Sequence, residues 1–168
     1  MIKTSTDKTE ASLQHYKELL EQKLKDVAQA VAYTAAKSFV EFTPVGHPET
    51  GTRSYLGMYQ NRERTKGYRI EGGLAKGSWV LSLNNQVNQG AVDYDTQGVK
   101  TLSKAQSSLQ SIKLGDTIII NNSLDYIQYL DAGSSNQAPE GIRLPAIEQI
   151  KQASKLDIQR VLTETKFK

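Results

Sequence analysis

Cysteine is absent from the 168 residues. That removes disulfides, thiol nucleophiles and thiolate metal sites together, so packing alone must hold the fold. Long apolar runs are missing as well, since nothing approaches the roughly 18 residues needed to cross a bilayer. The first ten residues are polar and lack the apolar core of a signal peptide. We therefore expect a protein with no membrane role, made and used in the cytoplasm or in a particle assembled there. Histidine is scarce: His15 and His47 are the two present. Either would need partners from elsewhere in the chain to act as acid, base or ligand, and they read as a solvated helix residue and a loop residue.

What is present is enough for one domain with a real core. Hydrophobic residues make up 38% and charged residues 23%, lean in apolar content yet well above a disordered chain. The net charge of +3 and pI near 9.0 tolerate a nearby polyanion, but fall short of the dense patch of a dedicated nucleic-acid binder.

Periodicity is clearest over residues 13–42. Leu13, Tyr16, Leu20, Leu24, Val27, Val31, Ala35, Phe39 and Phe42 recur in steps of three or four and share one helical stripe. A helix of that span is about 45 Å long, more than a small domain covers, so part of the stripe is expected to meet another subunit. Thr43-Pro44 ends it. Residues 78–83 alternate, with Trp79, Leu81 and Leu83 on one side, as in a strand with one buried face. A second helix is expected over residues 99–112, with Val99, Leu102, Leu109 and Ile112 on one face, stopping at Leu114-Gly115-Asp116. A β-branched strand over residues 117–121 should pair with the Trp79 strand. Residues 122–132 suggest a short helix closed by Gly133, followed by an exposed loop to Gly141. Pro145 suits the first turn of a last helix reaching about Thr165, with Ile147, Ile150, Ile158, Val161 and Leu162 on one side. The fold class is α+β: long N-terminal and C-terminal helices packed on a small, mainly antiparallel sheet, in a single domain over 1–168.

Residues 46–73 form a long insertion with six glycines, three tyrosines, five cations and three glutamates. A connection this long in a compact domain is a functional arm or a disordered segment. Arg53, Tyr55, Tyr59, Arg62, Arg64, Tyr68 and Arg69 are its candidate partner-contact residues. These types stack on bases and bind phosphates, and they are also enriched at protein interfaces. Composition does not separate the two, but Glu49, Glu63 and Glu71 weaken the case for DNA and favour a protein contact. We expect an arm that is mobile in the free protein and ordered between subunits.

Chemistry is harder to find. Lys76-Gly77-Ser78 inverts the order of a phosphate-binding loop, which needs Gly before the lysine and a hydroxyl after it. Asp93 and Asp95 are the closest acidic pair, and without further ligands nearby they read as a solvated loop. No Gly-x-Ser-x-Gly elbow occurs. No catalytic, cofactor or metal residue is assigned, and the chain reads as a non-enzyme.

Three stretches taken together carry a resemblance: Ser38-Phe39-Val40-Glu41-Phe42-Thr43-Pro44-Val45, then Ala75-Lys76-Gly77-Ser78-Trp79, then residues 121–133 leading into Ser135-Asn136-Gln137-Ala138-Pro139-Glu140-Gly141. In this order they resemble the tailed-phage tail completion family that includes the minor tail protein Z of lambdoid phages. In that family a long helix ends at a Thr-Pro-Val-Asp-Thr-Gly turn, a Trp motif opens a strand, and a Gln-Ala-Pro loop precedes the last helix. The resemblance covers roughly residue 37 to the end, except the insertion. Either Glu49-Thr50-Gly51 stands in for Asp-Thr-Gly, or all of residues 46–73 are an elaboration.

The resemblance implies a structural virion protein that completes the tail and helps join it to the head or neck. It implies no cofactor and no catalytic residue. Implied partners are the tail tube, the tail terminator or the head–tail connector, in a homo-oligomeric ring whose lumen passes DNA without specific binding. The implied location is the virion tail and neck, assembled in the host cytoplasm. The alternative is a small basic DNA-binding or DNA-packaging accessory protein. A hydrolase using His47 is a distant third.

Overall fold

The computed structural model describes residues 3–45, 72–84 and 94–163. Its elements are α1 (Lys3–Phe42), α2 (Leu74–Gly77), β1 (Trp79–Leu83), α3 (Val99–Leu109), β2 (Ile118–Asn122), α4 (Ile127–Asp131) and α5 (Arg143–Thr163). This is the α+β arrangement expected from the sequence.

The strands pair antiparallel, with Trp79 opposite Asn122, Leu81 opposite Ile120 and Leu83 opposite Ile118. Direct partners in an antiparallel ladder point to the same face. That face meets α1 and α3 in a core of Ala32, Ala36, Leu81, Ala105, Leu109 and Ile112, edged by Tyr33, Leu102, Ile118 and Ile120. Beyond β1 the chain turns at Asn84, which adopts a positive φ of 54°. Its amide accepts from the Thr117 N–H and donates to Asp116.

α1 is the shared element. One face meets the sheet and α3, and another pairs with α5, which takes its main contacts from α1. The α1–α5 pair is antiparallel: the Thr34 hydroxyl donates to Asp157 at 2.6 Å, and Gln149 donates to Glu41 at 3.2 Å. Small residues allow the close approach, with Ala146 of α5 fully buried and Ser38 of α1 1% exposed.

The buried faces depart from the expected stripes in three places. In α1 the core is built by Ala32, Ala36 and Val40, while Leu13, Tyr16, Leu20 and Leu24 are exposed. In α5, Ile150 and Val161 are half-buried as expected, but Ile147 and Ile158 are exposed, because the helix turns its Ala146 side to α1. In α3, Val99 is exposed and Thr101 takes its place inside. At the start of α3, Gly98, with φ 78°, sits so close to Val40 that a Cβ would collide with that side chain.

Candidate functional site

α1 ends in a polar lock. Thr43 is 1% exposed, and its hydroxyl donates to the Phe39 carbonyl while accepting from the Trp79 indole N–H at 2.7 Å. The Phe39 and Trp79 rings meet at 4.9 Å between centroids, tilted by 41°. The tryptophan is half-buried. Its polar edge is satisfied while its ring packs, which is the usual condition for placing indole beneath a surface.

Two residues on, Val45 is held by a side chain 92 residues away. Its N–H donates to Gln137 Oε1 at 3.1 Å, and Gln137 Nε2 donates to its carbonyl at 2.9 Å. The glutamine amide thus does for Val45 what a neighbouring strand would do, satisfying both backbone groups. Gln137 is presented by a closed turn after α4. Ser134 N–H bonds the Tyr129 carbonyl and Gly133 N–H the Leu130 carbonyl, a two-bond helix stop that needs the positive φ of Gly133. Asp131 then accepts from the N–H groups of Ile142 and Arg143, capping α5 from the preceding helix.

The third side is α2 and its flanks. The Gly73 carbonyl accepts from Gly77 and from Asp95, and Ser78 bonds back to the Leu74 carbonyl. Asp95 is 6% exposed. It accepts from Gly98 N–H, Thr101 N–H and the Thr101 hydroxyl at 2.8 to 2.9 Å. Burial alone would raise its pKa, but the bonds from Thr101, Gly98 and Lys100 outweigh it and hold the carboxyl below its ordinary value. Asp95 is therefore a buried helix cap and not the solvated loop residue expected. Its signal in the sequence was the spacing Asp95, Gly98, Thr101.

Between these parts lies an open cleft, walled by Pro44, Val45, Lys76, Gln137, Pro139 and Pro145, with Glu41 and Glu140 at its edge. Proline rings and a rim carrying both signs of charge suit a protein contact. Among the described residues no group of three His, Cys, Asp or Glu side chains is placed to hold a metal ion. His15 is exposed on α1. Arg53, Tyr55, Tyr59, Arg62, Arg64, Tyr68 and Arg69 lie outside the described residues, as do Asp93 and His47. The structure does place the two roots of their segment. Val45 is pinned by Gln137, and Gly73 packs so tightly on the Asp95 and Thr96 backbone that no side chain fits.

Fold and cleft define a small α+β protein, with a long helix shared by two packing layers and a proline-walled cleft where its separated motifs meet. No family profile matches the chain, and no curated protein or solved structure matches it. No helix among the described residues is long and apolar enough to cross a membrane.

Proposed function

We propose that the chain is a structural virion protein of a tailed bacteriophage, acting in tail completion where the tail joins the head or neck. One observation carries the reading. The three stretches behind the resemblance lie as far as 92 residues apart, yet they form one junction: Trp79 bonds Thr43, and Gln137 clamps Val45. Motifs that recur in order for a structural reason should meet in space, whereas chance matches would scatter. The cleft between them is the contact surface in this reading. The insertion rooted at Val45 and Gly73 is a contact arm carrying Arg53, Tyr55, Tyr59, Arg62, Arg64, Tyr68 and Arg69, and copies of the chain close into a ring around the tail axis.

The test is genetic. Disrupting the gene in the phage or prophage that carries it should leave filled heads and tails visible by electron microscopy but unjoined, with infectivity restored by the intact chain. Normal joined particles from the disrupted phage would refute the reading. Gel filtration with duplex DNA checks the alternative, because binding through phosphates should be measurable and should collapse as salt rises.

A further inference from the structure

The first part of α1 runs past the other described elements. Thr34 meets Asp157 and Glu41 meets Gln149. That antiparallel register brings Thr163, the last described residue of α5, opposite roughly Val27. Among the described residues, no part of α5 lies beside the residues before Val27. At 100° per residue, Leu13, Leu20 and Leu24 lie on the same face as Val31, Thr34 and Ser38, the face that α5 covers further along. Ser38 is 1% exposed there, while Leu13, Leu20 and Leu24 are 66%, 48% and 56% exposed. The apolar face thus continues, exposed, beyond the part that the described residues of α5 cover.

We infer that a second copy of this chain covers it, the two α1 helices crossing antiparallel in an isologous pair. Each α1 then takes over, on its partner, the place and direction that α5 occupies nearer the core. Charge fits this occupant. Over residues 11–26 the cations Lys17, Lys23 and Lys25 balance Glu18, Glu21 and Asp26, so two copies do not repel. Lys17 and Glu21 pair along one edge of the stripe. An antiparallel copy reverses their order, so that Lys17 faces the partner's Glu21 and Glu21 the partner's Lys17. A crossing centred near Glu18 and Leu19 sets Leu13 against the partner's Leu24. Residues 3–10 contain no apolar side chain and need no cover. The pair stands on α1 alone and does not depend on the tail reading. Two copies close an isologous contact, so a ring would be built through other surfaces.

Light scattering should give twice the 18.6 kDa chain mass. Leu20→Glu should halve that mass while leaving circular dichroism and the melting temperature of the core unchanged, and Leu13→Glu should do the same. The absence of native cysteine makes cross-linking unambiguous. Oxidising a mixture of Leu13→Cys and Leu24→Cys chains should yield the mixed dimer. Either variant alone should cross-link poorly, because like residues lie roughly 16 Å apart along the crossing. A monomeric wild-type chain, a dimer that survives both glutamate substitutions, or efficient cross-linking of each variant with itself would overturn the inference.

Discussion

Trp79 shows how a single side chain serves two ends here, closing the α1 terminus through Thr43 and stacking on Phe39. Trp79→Ala removes both contacts. Because the ring is half-buried, the loss should fall near the low end for aromatic truncation, about 3 kcal/mol by chemical denaturation. Trp79→Phe keeps the ring contact and deletes the indole N–H, so it should cost about 1 kcal/mol. If the two substitutions cost the same, the hydrogen bond and not the packing is what matters. Asp95 offers a second test, in pH. Its folded pKa is depressed, so its contribution is fully present above the unfolded value near 3.8 and is lost as pH falls through the folded value. Asp95→Ala leaves buried donors without an acceptor and should cost about 1.5 to 3 kcal/mol at neutral pH. The gap between variant and parent should shrink steadily below pH 4 in thermal melts, and a gap independent of pH would mean that the carboxylate charge does not matter.

At the scale of elements, three glycines separate strain from collision. Gly73, Gly98 and Gly115 all have positive φ, but a Cβ on Gly73 would strike the Thr96 backbone and one on Gly98 the buried Val40, whereas one on Gly115 meets nothing. Gly115→Ala should therefore cost about 1 kcal/mol, the conformational term alone. Gly73→Ala and Gly98→Ala should each cost clearly more, as urea midpoints would show. None of this spacing is visible in the sequence, because the collisions come from residues remote in the chain. What the sequence did reveal were features with a local cause. The steps of three and four announced α1, the alternation around Trp79 announced β1, and Pro44 and Gly133 marked helix ends that the structure has. Which face each helix buries was less legible. The stripe from Leu13 is continuous, yet its first half is exposed, because periodicity records where apolar residues lie and not what stops short of them. Gln137 was legible as part of a motif, but its clamp on Val45 joins residues 92 apart and has no local signature.

At the scale of the whole molecule, the residues on either side of the insertion are bonded into the described fold. On one side of residues 46–71 stands Val45, whose two backbone groups are bonded to Gln137. On the other side stands Gly73, whose carbonyl accepts from Gly77 and Asp95. Both roots are fixed by residues outside 46–71, and so are the core cluster, the strand pair and the helix-pair bond described here. Deleting residues 51–72 should therefore leave a cooperative thermal transition and the helical circular dichroism intact. In the proposed role the same deletion should block incorporation into particles, because it removes the arginine and tyrosine contacts while sparing the scaffold that presents them. Gln137→Ala is the complementary case. It leaves the insertion whole and releases its first root, exposing two backbone groups that water can satisfy, so stability should fall by only about 1 kcal/mol. If incorporation drops with Gln137→Ala as it does with the deletion, the arm works only when held at a fixed angle. If the deletion drops incorporation and Gln137→Ala does not, the arm acts as a tether. Normal incorporation of the deletion variant, scored by the chain's presence in purified particles, would remove the insertion from the mechanism altogether.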